Sequence, residues 1–437
     1  MSQASTTYAE EPVSPSSPGG SNITEKKQQA QAVAWVPPNR GLRAWLQVFG
    51  AFCLYFGTWG IIQAFGVFEA YYHFELLPAY STSDIAWIGS LQSFLMMFVG
   101  ILSGPLYDKG HMHALNYVGT ALVVLGIMTM SAATTYWQLM LSQGVAVGIG
   151  SGLVFTNSLA VVPAYFTSRR AIAMALASLG SGIGGVIYPI VFHELQPKIG
   201  FGWAVRVMGF ISLFVMAVPC LVMRKPSFVG QGPARSLVDF SHFRDPVYSL
   251  LTSASVIGIV GLFVPFYVVQ LFAQVKLDAN ATITFYLIPI LNAGSTVGRL
   301  LMGGGLATYL GPINMFLLAG MLSGIICLAW ISVSTIGGCI AFAFFYGFTS
   351  GAVLSVSPLS LASITKDPRQ LGTRIGMSFG LGAFGLLAGN PSAGALVNIR
   401  TESFIKAQVF GGVFLLAAGA FVAAALFVQT LRKRRDS

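Results

Sequence analysis

The sequence is poor in charge. Only 9% of its 437 residues are Asp, Glu, Lys or Arg, where a water-soluble chain carries roughly a quarter. So few charges cannot clothe a soluble surface of this size, so the surrounding solvent must largely be lipid. Cysteine and histidine are also scarce, at four and five. Cys53, Cys220, Cys327 and Cys339 stand singly in apolar runs, which excludes a disulfide framework and leaves them as small core residues. His111 and His113 form the only close histidine pair, and they lack the Cys or carboxylate partners of a metal site. No Gly-x-Ser-x-Gly elbow with triad partners is present. No metal, no cofactor and no enzymatic activity is therefore expected. Lys and Arg (24) outnumber Asp and Glu (14), but a nucleic-acid footprint needs a basic face on a soluble domain, and none is available.

What the chain has in abundance is apolar length: 55% hydrophobic residues, Gly 50, Phe 33 and a mean hydropathy of +0.73. A helix crosses a ~30 Å hydrocarbon layer in about 20 residues. Long charge-poor runs cover about 44–72, 86–106, 114–132, 137–165, 171–192, 203–223, 247–273, 281–303, 312–333, 336–361, 375–398 and 407–430. Backbone groups in lipid must bond internally, and runs this long do not suit barrel strands. The fold class expected is an all-α membrane protein of 12 transmembrane helices.

The loops supply an independent count. Placing both termini in the cytoplasm puts 18 Lys and Arg on that side and 4 on the other, with Arg206 and Arg299 inside spans. Moving the register by one span would destroy this positive-inside bias. A Ser-, Pro- and Gln-rich segment, 1–40, has no apolar run that could form a core and reads as a disordered cytoplasmic tail. The first apolar run is too long for the core of a cleavable signal peptide. Residues 224–246, with Pro226, Gly230, Gly232 and Pro233, form a cytoplasmic linker between six-helix units at 41–223 and 247–430, and 431–437 is a basic cytoplasmic tail.

Gly180-Ser181-Gly182-Ile183-Gly184-Gly185 satisfies the Gly-x-Gly-x-x-Gly pattern, but that pattern cradles a pyrophosphate only between a strand and a helix. Within an apolar span the glycines read as close helix contact, either static or at a sliding surface. Pro189, Pro265, Pro289, Pro358 and Pro391 lie within spans and tend to kink them. Arg299 ends the polar string that begins at Asn292. Two readings stay open for it: a buried functional cation, or a side chain that snorkels to the cytoplasmic mouth. Glu69 and Arg206 lie near outer helix ends, where interfacial solvation is expected. No Asp, Glu or His lies at the middle of a span, so a proton-coupling carboxylate is not visible unless Glu69 sits deep. Asn280-Ala281-Thr282 is a glycosylation sequon on an outer loop.

Gly104-Pro105-Leu106-Tyr107-Asp108-Lys109-Gly110, after the second span, resembles the latch loop of the major facilitator superfamily. The similarity implies that Asp108 and Lys109 hold neighbouring helices in one conformation. Gly303 to Gly311 looks like a second copy, with Thr308 where an Asp is usual. Arg40-Gly41-Leu42-Arg43-Ala44-Trp45, Tyr165 to Ala171, Gly202 to Arg206 and Gly372 to Met377 are similar to motifs of the fungal branch of the monocarboxylate-porter family. The resemblance runs from about residue 38 nearly to the end and implies two six-helix bundles of the major facilitator fold. In the family's small-acid carriers a Lys in helix one and an Asp–Arg pair in helix eight are expected; here Gln63 or its neighbour stands at the amine place, Ser295 at the acid place, and only Arg299 remains.

The combined reading is a multi-pass cell-membrane carrier of a small organic substrate, anionic ones included, that works by alternating access. Efflux of a fungal secondary metabolite is favoured, with uptake or proton-linked symport of a monocarboxylate or vitamin-like nutrient as the alternative. Polar and aromatic groups inside apolar spans are the candidate cavity residues: Trp59, Gln63, Asn157, Tyr188, Tyr267, Gln270, Asn292, Arg299, Tyr346 and Asn390.

Overall fold

The computed structural model describes residues 39–166, 169–226, 237–365, 368–399 and 401–436. All but the last two residues of the expected tail, and the middle of the expected linker at 227–236, lie outside the described residues. Outside short connections the described residues are helical, and the β pairing among them is one isolated bridge between Asn398 and Ser403. The helices are α1 (Leu42–Leu76), α2 (Thr82–Asp108), α3 (Met112–Met130), α4 (Tyr136–Tyr165), a long run Arg170–Val222, then α7 (Pro246–Lys276), α8 (Ile283–Leu310), α9 (Pro312–Ser332), α10 (Ile336–Ser363), α11 (Pro368–Leu396) and α12 (Ile405–Asp436). Eleven helices among the described residues are long and apolar enough to cross a membrane.

The run Arg170–Val222 is a hairpin and not one rod. Gly200 has φ 77° and ψ 165°, a region essentially reserved for glycine, and it separates α5 (170–199) from α6 (201–222). Along α5, Gly180 meets Phe52 and Gly184 meets Gly60, so α5 runs parallel to α1. Along α6, Met216 meets Gly57 and Met223 meets Gly50, so α6 runs the other way. Tyr188 and Ser212, twelve residues either side of Gly200, share a 2.7 Å hydrogen bond between the two limbs. A side chain at Gly200 would meet no atom within 4 Å, so the cost of Gly200→Ala is backbone strain alone, about 1–3 kcal/mol. The expected result is a folded protein whose thermal midpoint in detergent falls by a few degrees; an unchanged midpoint would show that the turn tolerates other conformations.

Local signals explain where helices begin and where they bend. Ser81 and Asp84 form a reciprocal capping box, which starts α2 four residues before the apolar run suggests. Asp245 caps α7 ahead of Pro246, and Pro312 opens α9 after Gly311 at φ 83°. α1 is interrupted at Thr58 and Ala64, α7 at Phe263 and α8 at Tyr286. π turns occupy Met140–Val147 in α4 and Arg299–Leu306 in α8. The second carries α8 through three glycines to Leu310, beyond the end expected near 303, because the widened turn keeps the ladder bonded.

Packing is intimate among α1–α6 and among α7–α12. α1 lies on α5 and α6, α2 on α4, and α3 on α4 and α6; α7 lies on α11 and α12, α8 on α10, and α9 on α10 and α12. The two sets touch where α2 meets α11, α5 meets α8, and the second half of α1 meets α7. Phe214, Leu221 and Phe427 project outward, exposed, as lipid-facing side chains do. The four cysteines are buried and unpaired.

Candidate functional site

Between the two sets lies a cavity of about 1100 Å³ including its open mouth. Its walls come from the parts of the helices nearest Lys109, Arg169, Arg170 and Arg374: Leu159 late in α4, Met174 and Ser178 early in α5, Ser255 and Ile259 early in α7, and Leu359 late in α10. The mouth therefore faces the side that carries the basic loops. The far side is shut. Trp59 stacks on Phe263 at 6.1 Å, Phe65 meets Tyr267 at 5.1 Å, His193 meets Phe285 at 3.9 Å, and Ser83 Oγ donates to the Pro391 carbonyl at 3.0 Å. Trp59, Phe155 and Phe379 line the cavity and touch in sequence, with ring centroids 6.2 and 5.9 Å apart. Together with Phe263 they form an aromatic roof between the cavity and the closed side.

One cation sits in this largely apolar and aromatic wall. Arg299 is 4% exposed and its guanidinium is held by α1 and α5, so the snorkelling reading does not hold. Its Nη2 donates to Gln63 Oε1 at 3.1 Å, its Nη1 to the Ser178 carbonyl at 3.3 Å and to Ser181 Oγ, and its Nε to Ser295 Oγ at 3.4 Å. Gln63 Nε2 in turn donates to Asn292 Oδ1 at 2.6 Å, and Asn292 Nδ2 donates to the Gly185 and Ile288 carbonyls. This polar hub ties α1, α5 and α8 together, and the oxygen partners recorded for the guanidinium are all neutral. A buried guanidinium bonded only to neutral oxygens keeps its full field, which favours an anion placed in the cavity.

Glycines set the depth of the hub. On one side, added side chains at Gly294 and Gly298 would strike the carbonyls of Phe344 and Phe348 on α10, and Gly351 of α10 sits against Ser295. On the other side, Gly182 and Gly185 of α5 receive Thr296 and Asn292. α8 is thus held between two glycine-lined faces, with Asn292 and Arg299 directed at α1 and α5. The Gly180–Gly185 string has two jobs: Gly180 and Gly184 seat α5 on α1, and Gly182 and Gly185 seat it on α8.

The ten candidate residues fall into separate groups. Trp59 and Arg299 line the cavity, Gln63 stands one hydrogen bond behind it and Asn292 two. Asn157 bonds Asn116 at 2.6 Å and the Met112 carbonyl at 3.0 Å, joining α4 to α3. Tyr188 joins α5 to α6, and Tyr346 donates to the Leu262 carbonyl at 2.7 Å, joining α10 to α7. Tyr267, Gln270 and Asn390 are buried and do not line the cavity. Among the lining residues that sequence reasoning missed are Tyr55, one turn before Trp59, Phe155 and Phe379 of the roof, and Ser255 and Ser357, whose hydroxyls are 2.9 Å apart. Only Tyr55 carried a signal, as a polar aromatic in the same span as Trp59.

The remaining charged candidates are also placed. Glu69 is 5% exposed within α1, which corrects the expectation of interfacial solvation: α1 continues to Leu76, so its last turns shield the carboxylate. Arg206 does lie near a helix end, stacked on Trp203 at 4.8 Å and bonded to Ser131 Oγ at 3.1 Å. Asp108 ends α2, half-buried, and Lys109 is its exposed C-cap. On the same side Asp245 takes Arg432 at 2.9 Å and Arg374 at 3.5 Å, a cluster joining α7, α11 and α12. Asn280 is exposed on the loop before α8.

Comparison with known proteins agrees with this architecture. The sequence profile described as Major Facilitator Superfamily matches residues 47–337. The chain is 42% identical over 389 residues to the MFS-type transporter dbaD of Emericella nidulans, covering 89% of this chain and 87% of that one. It is 35% identical to the aspyridones efflux protein apdF of the same organism (87% and 77% covered) and 34% identical to the fujikurins efflux protein of Gibberella fujikuroi (91% and 85% covered). In three dimensions it is similar to a crystal structure of the peptide transporter POT in complex with alafosfalin, with a TM-score of 0.67 at 16% identity, covering 92% of this chain and 98% of that one; that likeness concerns the fold alone. With a family profile over two thirds of its length, transporters as full-length relatives and a one-sided cavity between two packed sets of helices, this chain belongs to the Major Facilitator Superfamily.

Proposed function

We propose that the chain is a secondary transporter, not an enzyme, that exports a bulky, partly aromatic organic acid from the cytoplasm by alternating access. The observation that carries this reading is Arg299 in the wall of the cavity: a buried cation with neutral partners, set among aromatic and aliphatic side chains. Such a wall suits a substrate with a hydrophobic body and one anionic group. Relatives named as efflux proteins for aspyridones and fujikurins support export of a secondary metabolite. Uptake of a small monocarboxylate fits less well, because a cavity of this size has only one charged lining residue and lacks the acidic partner expected on helix eight.

The reading includes twelve crossings, with the Gly200 hairpin counted as two, arranged as six-helix bundles at 41–223 and 247–430. The linker and both termini then lie in the cytoplasm, where positive-inside bias puts them, and the cavity mouth faces the cytoplasm. Cell-membrane residence, a latch role for Asp108 and Lys109, and glycosylation at exposed Asn280 belong to the same proposal. The test is transport by the reconstituted full chain. Inside-out proteoliposomes should take up a fluorescent aromatic carboxylic acid faster than protein-free vesicles, and saturably. If no solute of this class moves in either direction, the carrier reading fails.

A further inference from the structure

Among the described residues Glu69 is the one acidic residue buried inside a span, and export as proposed gives it no task. It lies on the part of α1 that shuts the far side, one turn beyond Phe65, whose ring meets Tyr267 of α7. Gly66, three residues before it, sits directly against the Phe266 carbonyl of α7. Among the described residues, Glu69 Oε2 is fully enclosed and has no hydrogen-bond partner.

The groups around it are neutral. α7 presents the Tyr267 hydroxyl, which lies near Glu69 with Ser93 of α2 and Asn390 of α11 beside it. Ser93 gives its own proton to the Gly89 carbonyl. α5 presents Phe192, packed on Phe68, and α4 presents Gln143, engaged by Tyr72. The other charged or titratable groups of these elements at the same end are His73, one turn beyond Glu69 on α1 and half-buried beside Phe74, and His193 of α5, half-buried against Phe285; Asp84, Glu194, Lys198, Lys276 and Glu75 are exposed or cap helix ends. The Tyr267 hydroxyl and Asn390 Nδ2 are likewise enclosed without a hydrogen bond among the described residues. A bare carboxylate in such a place has neither cation nor water to stabilise it, and buried acids of this kind neutralise instead.

We propose that Glu69 is a proton-binding site that controls the far-side closure: protonated while α1 and α7 are packed as seen here, and ionised when they part and admit water. The proposal rests on the alternating-access reading. Each closure takes one proton from a hydronium ion of the outer solution, leaving water and a neutral carboxyl group; each opening returns it. After substrate leaves, external acid would therefore favour the return to the cytoplasm-facing state.

The experiment needs no substrate, so its failure would leave the export reading standing. Spin labels at exposed Ala79, after α1, and exposed Lys276, at the end of α7, would report the far-side separation in the reconstituted full chain by pulsed dipolar spectroscopy. Between about pH 5.5 and about pH 8.5 the ratio of long to short distances should rise, by up to about tenfold per unit, the slope of a single proton. Glu69→Gln, isosteric with the protonated acid, should stay short at both extremes, and the control Glu75→Gln should respond like wild type. Absence of a pH response in wild type, which requires no variant to fold, overturns the proposal. So does a monodisperse Glu69→Gln protein that opens with rising pH as wild type does.

Discussion

Arg299→Ala is expected to reduce uptake of an acidic substrate into inside-out vesicles by at least about thirtyfold, while a methyl ester of the same molecule loses far less. Removing one partner of a buried, hydrogen-bonded charge pair costs about 2–5 kcal/mol, and 1.4 kcal/mol is tenfold. The hub makes the loss specific. Gln63, Ser178, Ser181 and Ser295 direct the guanidinium through four separate hydrogen bonds, so its charge is fixed in the cavity wall before substrate arrives and little ordering remains to be done on binding. Arg299→Lys keeps the charge as a point on a flexible stem and cannot span three helices at once; intermediate transport is the expected outcome. The acid-to-ester ratio is the informative measurement. A role confined to packing would lower both compounds together, and a ratio that stays at the wild-type value would rule out Arg299 as the anion-recognising group.

The closed side and the open side of this molecule depend on the same helices. α1 carries Trp59 of the roof and Gln63 of the hub, and then the Phe65–Glu69 stretch that packs on α7. α8 carries the hub and continues into the π turn that begins at Arg299. A substrate anion that draws on the Arg299 field acts on the junction of α1, α5 and α8, which is where the two sets of helices meet. Binding and the relative motion of the sets are therefore linked through identifiable contacts, Gln63 to Asn292 and Arg299 to Ser178, each of which joins helices that alternating access requires to separate.

Much of the architecture is legible in the residues, and the reasons are physical. Lipid leaves no alternative to long apolar helices, so the runs announce themselves, and the loop charges report sidedness without any knowledge of packing. Arg299 stands out for the same reason: a lone guanidinium in a charge-free span has to be explained. Facing directions are another matter. A helix apolar all round carries no polar stripe to say which side meets the cavity, so Asn157 and Tyr188 looked equivalent to Gln63. Only contacts 41 and 24 residues distant in sequence, to Asn116 and Ser212, reveal them as ties between neighbouring helices. The depth of Glu69 is hidden by length: hydropathy fades near 72, while a π turn from Tyr72 to Leu76 prolongs α1 and covers the carboxylate. Serines of the cavity wall carry no signal, since a serine in a membrane span ordinarily bonds a carbonyl of its own helix or packs against a neighbouring one.

The glycine string of α5 gives the other large effect, and it should divide by face. Gly180→Leu would drive a side chain into the Phe52 carbonyl, with the Phe56 amide close behind. Both are backbone atoms within a helix and cannot turn aside, so α5 must move off α1. Forcing extra bulk into a packed contact costs typically 1–3 kcal/mol and occasionally more, and four added carbons against rigid backbone belong at the upper end. Set against a total stability of about 5–15 kcal/mol, such a loss should prevent accumulation of monodisperse protein at the membrane. Gly182→Ala addresses the opposite face, where the obstacle is the Thr296 hydroxyl, the free end of a side chain that can change rotamer. That variant should fold, with normal yield and a thermal midpoint near wild type, but transport should slow because α5 and α8 no longer reach the separation seen here. Gly337→Leu, where an added side chain meets nothing within 4 Å, should match wild type in both yield and transport. Size-exclusion profiles, melting curves and uptake rates measured on the three variants decide the matter. If Gly180→Leu accumulates normally, or if Gly182→Ala fails in the same way as Gly180→Leu, the two faces of α5 do not have the separate roles assigned to them.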